Sequence, residues 1–126
     1  MIIQRIDHFV MTVRDIDATC DFYTKVLGMD VAAFGTGRKA LVFGTQKINL
    51  HAVGEEFDPK ALRPTPGAVD VCFITENPLD RVMEELHSLG VIIEEGPVKR
   101  TGATGDMLSV YLRDPDGNLV EISNYL

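Results

Sequence analysis

IDHFVMTV (6–13) and VDVCFIT (69–75) are the two stretches whose reading decides the fold. Each alternates residue by residue with the period of two that marks a half-buried strand. Each is followed by a helical stripe. The first helix is expected from about Asp17 to Leu27, with Ile16, Cys20, Tyr23 and Leu27 along one side. Asp15 or Asp17 suits its N-cap, and Gly28 suits the left-handed position after its end. The second helix is expected after Asn77-Pro78, a cap residue and a first-turn proline. Its stripe is Leu79, Val82, Met83, Leu86 and Leu89, closed by Gly90.

Three short strands are expected after each helix, near 29–34, 38–43 and 47–53 in the first half and near 91–95, 107–113 and 117–124 in the second. The chain therefore reads as α+β, a βαβββ module written twice. The halves match by number. His8 and Asp70 stand 62 residues apart, as do Leu27 and Leu89, and Gly28 and Gly90. In the later strands the offset becomes 70, matching Val42 to Leu112, Gly44 to Asp114 and His51 to Glu121. The change of offset falls in EEGPVKRTGATGD (94–106), read as an enlarged loop. GEEFDPKALRPTPGA (54–68) reads as the linker, giving module one over 1–53 and module two over 69–126. Neither half is long enough to make a core alone, so the two are expected to pack together or to swap between chains.

Alternation assigns the faces. Phe9, Met11 and Val13, with Ile48, Leu50 and Ala52, are expected to meet the first helix, leaving His8, Val10 and Thr12, with Asn49, His51 and Val53, on the other side. In the second half Val69, Val71, Phe73, Val120 and Ile122 oppose Asp70, Cys72, Ile74, Leu119, Glu121 and Ser123. His8, His51, Asp70 and Glu121 thus emerge as four corresponding positions facing away from the helices, into a shared hollow. Two imidazoles and two carboxylates converging from rigid sheets make a site for one divalent metal, Ni, Zn, Mn or Fe. A buried carboxylate is costly alone, and a cation compensates for it. Asp70 alternatively orients a ligand histidine.

Composition sets the surroundings. The chain of 126 residues carries 12 Lys and Arg against 19 Asp and Glu, a formal net charge of −7. That balance argues against nucleic-acid binding, which needs a basic face. No apolar run approaches the roughly 18 residues of a membrane span, and MIIQRIDH lacks a signal-peptide pattern. A cytoplasmic protein, complete from its first residue, is the expectation. Cys20 and Cys72 form no C-x-x-C pair and read as buried reduced thiols.

IDHFVMTVRD (6–15), FYTKVLGMDV (22–31) and SVYLRDPDGNLVEI (109–122) resemble the vicinal oxygen chelate superfamily, which includes glyoxalase I, fosfomycin-resistance enzymes, methylmalonyl-CoA epimerase, extradiol dioxygenases and bleomycin-resistance proteins. RKALVFGTQKINLH (38–51) and EEGPVKRTGA (94–103) look most like its glyoxalase-domain proteins. The resemblance implies paired βαβββ modules forming a metal-binding cup, often in a homodimer whose cups combine modules of both chains. It maps the metal positions onto His8, His51, Asp70 and Glu121. Glyoxalase I and the fosfomycin enzymes commonly carry His where this chain has Asp70, and glyoxalase I carries Glu where it has His51.

A metal there acts as a Lewis acid on two adjacent oxygens of a small substrate and stabilises an enediolate, with Glu121 or Asp70 moving the proton. That is lyase or isomerase chemistry of the glyoxalase kind. The alternatives are an Fe(II) extradiol-type dioxygenase and a protein that binds a drug or metabolite without turnover. Lys99 and Arg100 on the enlarged loop, and more weakly Arg38, are candidates to hold a carboxylate or phosphate of the substrate. The bland reading of the first two is a solvated pair. His87 reads as solvated. DPDGN (114–118) reads as a tight turn rather than a calcium loop, and GTGRK (35–39) as a hairpin turn rather than a phosphate loop.

Overall fold

A computed structural model describes all residues from Met1 to Leu126. The chain divides into two compact units, Met1–Gly67 and Ala68–Leu126. In the first, β1 (His8–Val13) leads into α1 (Ile16–Lys25), followed by β2 (Asp30–Phe34), β3 (Arg38–Phe43) and β4 (Gln46–Ala52). Its sheet runs β1-β4-β3-β2, with β1 parallel to β4 and the other pairs antiparallel. The second unit repeats the plan with β5 (Asp70–Ile74), α2 (Leu79–Ser88), β6 (Glu95–Thr101), β7 (Asp106–Arg113) and β8 (Leu119–Tyr125), ordered β5-β8-β7-β6. The repeated α+β module expected from the pattern is present in both halves.

The helices form where their caps and stripes indicate. Asp15 caps α1 by accepting the Ala18 N–H at 3.0 Å, satisfying one of the free donors of the first turn. Cys20 and Tyr23 are buried on its inner side, against a sheet face built from Met11, Val13, Leu41, Ile48 and Leu50, all at most 1% exposed. α2 differs from expectation at its start. Pro78 itself is the N-cap and offers no side-chain bond. The missing acceptor comes from β8, where Asn124 Oδ1 takes the Leu79 N–H at 2.8 Å and its amide donates to the carbonyls of Thr75 and Asn77.

The strand pattern errs in one place. The residues expected as a strand near 91–95 are mostly irregular, and the segment read as an enlarged loop carries β6. Gly96-Pro97 looks like a breaker, but β6 is a sheet edge, and the register shifts between Glu95 and Val98. An edge strand with a bulge tolerates proline because its N–H is not needed. Gly96 is required there, since a Cβ would sit 2.4 Å from the Ser109 carbonyl oxygen. The turn between β6 and β7 shrinks to residues 102–105.

DPDGN is the tight turn expected. Asp114 Oδ1 accepts from the backbone N–H groups of Asp116 and Asn118, and Asn118 Oδ1 accepts from that of Val69, tying the turn to the strand that opens the unit. Cys20 is buried as expected, whereas Cys72 is exposed. No helix is long and apolar enough to cross a membrane.

Candidate functional site

Register decides which of the candidate residues are neighbours. In the first unit His8 lies opposite Lys47, Val10 opposite Asn49 and Thr12 opposite His51. In the second, Asp70 lies opposite Leu119 and Cys72 opposite Glu121. Asp70 and Glu121 are two residues apart along paired strands, but His8 and His51 are four, roughly 13 Å along the sheet. Side chains that stand off a sheet do not close such a gap. The match of His51 to Glu121 is therefore corrected. Counted from the leading strand, the residue in the place of Glu121 is Asn49, at an offset of 72. The antiparallel partners agree, since Asn49 faces Ala40 as Glu121 faces Tyr111.

Between β4 and β8 the slip is two residues, so the faces of β1, β4, β5 and β8 stand as assigned and only the rung was wrong. Between β3 and β7 it is one, since Leu112 pairs with Val120 as Leu41, not Val42, pairs with Ile48. One rung further on, Ser109 pairs with Ser123 in the second unit, where the first has Arg38 against His51.

In the second unit Glu121 is the centre of a hydrogen-bond network. Ser109 Oγ donates to Glu121 Oε2 at 2.7 Å, and Ser123 Oγ lies 3.1 Å from the same oxygen. Both serines are fully buried, 2.6 Å from each other, and Cys72 Sγ lies 3.3 Å from Ser123 Oγ. The Tyr111 hydroxyl donates to Glu121 while accepting the Arg100 Nε–H at 2.9 Å. Burial alone pushes the Glu121 carboxyl up, but the hydroxyls of Ser109, Tyr111 and Ser123 and the Cys72 thiol together hold it below the usual carboxylate range. Burial pushes the Tyr111 phenol and the Cys72 thiol up, so both remain protonated donors near neutral pH.

Arg100 and Lys99 sit on β6 rather than on a loop that closes. Alternation sends them to opposite faces, Arg100 beside Tyr111 and Glu95, Lys99 to Asp106 at 3.3 Å. They do not act as a pair. Asp70 is exposed at the head of β5, and His87 is exposed on α2.

The first unit carries a different chemistry on the corresponding face. His51 is 2% exposed, and its Nε2 lies 3.5 Å from Arg38 Nη2. Burial first, and the Arg38 charge second, hold the imidazole below its usual pKa and hence neutral. The Arg38 guanidinium stands 4.7 Å from the ring centres of both Phe34 and Phe57, and Phe57 meets the His51 ring edge-on at 5.5 Å. Arg38 Nε and Asn49 Oδ1 are buried and lack a hydrogen-bond partner. At the opposite end of β1, the exposed His8 directs Nδ1 to Asp7 at 2.7 Å, which leaves Nε2 free.

Within one chain, no group of three or more His, Cys, Asp or Glu side chains is arranged to hold a metal ion. The donors nevertheless suit one at three of the four expected positions. A carboxylate on Nδ1 fixes the His8 tautomer that presents Nε2 as a ligand. Glu121 is held ionised, and Asp70 is an open carboxylate on the same face. His51 fits least, because a divalent ion at Nε2 would meet a guanidinium.

Two βαβββ modules with these strand orders, and polar residues gathered on the face away from each helix, define the class: the chain belongs to the Glyoxalase/Bleomycin resistance protein/Dioxygenase superfamily, whose profile matches residues 5–122. Virulence protein STM3117 of Salmonella typhimurium is 59% identical over 126 residues, all of this chain and 88% of that protein. Its crystal structure matches with a TM-score of 0.99, covering 100% of both chains. Glyoxalase domain-containing protein RDO1 of Mycosarcoma maydis is 54% identical over 98% of this chain and 69% of its own length. Metallothiol transferase FosB of Bacillus licheniformis is 31% identical over 93% of this chain and 73% of that protein.

Proposed function

We propose that the chain is a metal-dependent, glyoxalase-like lyase or isomerase acting on a small substrate with two adjacent oxygens, and that His8, Asp70 and Glu121 hold the ion. The observation that carries the reading is Glu121, kept ionised by three hydroxyls and a thiol on the face away from the helix. Similarity to a protein named a metallothiol transferase supports a metal. The reading includes a homodimer in which modules of two copies complete each site. A divalent ion there supplies a Lewis acid for the two substrate oxygens.

The chain's own groups handle the proton. Ser109 and Ser123 occupy Oε2, so Oε1 would hold the ion, and Glu121 or Asp70 would have to leave it before accepting the substrate proton. The hydrogen bonds that keep Glu121 charged also weaken it as a base, which suits an already acidified carbon acid. Arg100, through the Tyr111 hydroxyl, holds the carboxylate in place.

The test combines calorimetric titration with Mn, Ni, Zn and Fe(II) and kinetics on a panel of hemithioacetals. Wild type is expected to take up an ion and turn over. Glu121→Gln is expected to lose at least about a hundredfold in metal affinity, more than loss of an outer partner typically costs. Metal-loaded wild type inert across the panel would reject the reading. Fe(II) dioxygenation loses support because its two-histidine, one-carboxylate set needs His51. Sequestration without turnover is the second reading, and the separation of His51 from His8 along one sheet favours it. Thermal stability indifferent to all four metals would select it.

A further inference from the structure

Arg38 differs from Arg100, the cation beside Tyr111 in the second unit. Arg100 has Glu95 at 3.3 Å; Arg38 has no carboxylate within ion-pair distance. A half-buried guanidinium without a counter-ion is costly. Phe34 and Phe57 offset part of that cost through their ring faces, yet a ring face is at best a weak acceptor for the Nε–H. That donor is buried and unpartnered. The third neighbour, His51, brings no negative charge.

Asn49 supplies the complementary vacancy. It is 6% exposed, and its Oδ1 is a buried acceptor with nothing to accept. It lies on the face that carries Arg38 and His51, one rung away on the neighbouring strand. Diagonal neighbours on an antiparallel pair stand about 7–8 Å apart, within reach of a long side chain. The residue directly across from Asn49 is Ala40, whose side chain is small. Buried polar atoms are normally satisfied. Here one unused donor belongs to a cation and one unused acceptor to an amide, and both are side chains rather than backbone.

We infer that Arg38, Asn49 and His51 form a binding site for a small 2-hydroxy carboxylate, with the carboxylate on the Arg38 guanidinium and the hydroxyl donating to Asn49 Oδ1. Phe57, on the irregular segment after β4, lies over both Arg38 and His51 and must yield for entry. His51, held neutral by burial, adds no charge of its own beside the guanidinium, while Lys47 Nζ stands 4.2 Å from the Phe34 ring that Arg38 also faces. A planar carboxylate matches the guanidinium fork better than a tetrahedral anion does. The site lies wholly in the first unit and uses none of His8, Asp70 and Glu121.

The test is an NMR titration of the isotope-labelled full chain with sodium glycolate, at constant ionic strength, with and without EDTA. Saturable shifts are expected at Arg38, Asn49, His51 and Phe57, equal in both conditions, which separates this site from the metal reading. Glycolamide, lacking the charge, is expected not to bind, and acetate, lacking the hydroxyl, to bind several-fold more weakly. Arg38→Gln is expected to weaken glycolate at least about tenfold, as loss of a charge-assisted bond does. Arg38→Lys keeps the charge without the fork, so it recovers only part and tests the site should the glutamine variant unfold. Glycolate binding unchanged in either variant, glycolamide binding as well as glycolate, or inorganic phosphate competing equally would each overturn the proposal.

Discussion

The two units share an architecture and differ in the sign of their polar face. On corresponding rungs, the first carries Asn49, His51 and Arg38, a neutral imidazole beside an unpaired cation. The second carries Glu121, Ser123 and Ser109, an anion wrapped in hydroxyls. The helix sides, by contrast, are nearly interchangeable: Met11, Leu41, Ile48 and Leu50 in one, Val110, Leu112, Val120 and Ile122 in the other, all buried. Packing constrains one face of each sheet, and the opposite face is free to diverge in charge. In a duplicated module the conserved alternation says where chemistry resides, while the residues on each rung say which chemistry it is.

That contrast can be broken most sharply at Ser109. Ser109→Ala removes a fully buried donor from an ionised carboxylate, and the expected loss is about 1–3 kcal/mol in urea unfolding. The Glu121 carboxyl should then titrate at higher pH in carboxyl-detected NMR. An unchanged titration would mean that the network does not hold the charge. The helix caps offer a second, smaller contrast. α1 is capped by its own exposed Asp15, α2 by Asn124 from a strand that also binds two carbonyls. Asn124→Ala is expected to cost about 1–2 kcal/mol and Asp15→Ala about 0.5–1 kcal/mol. Equal costs would show that the reach from β8 adds nothing.

The smallest effect is the pH dependence of stability, and it separates the units. His51 is neutral in the fold, with its pKa below the ordinary 6.5. Its contribution is therefore full above that value and declines as pH falls from 6.5 toward the folded pKa, because the unfolded chain takes up the proton first. Glu121 is depressed below 4.5, so its contribution is present above that value and lost at lower pH. Thermal unfolding of His51→Gln across this range should remove the upper decline and leave the lower one.

Much of the fold was legible because it rests on local periodicity. The helix stripes, the Asp15 cap, the strands at 38–43 and the DPDGN turn stand where alternation and turn chemistry put them. β6 was not legible, since Gly96-Pro97 carries a breaker's composition and only its edge position makes it a strand. Arg38 was visible as a candidate cation. Asn49 was not, because an asparagine in an apolar strand carries no signal until its oxygen is seen to lack a partner.

The chain by itself determined the repeat, the helices and the faces of the first and last strand of each half, because side-chain direction follows from a period of two that the residues display. The rung was left open, since a slip of two residues preserves every direction. Inter-strand hydrogen bonding closed that question, parting His8 from His51 and setting Asn49 in the place of Glu121. Which side chains share a site is a matter of register, and register is settled between strands rather than along one.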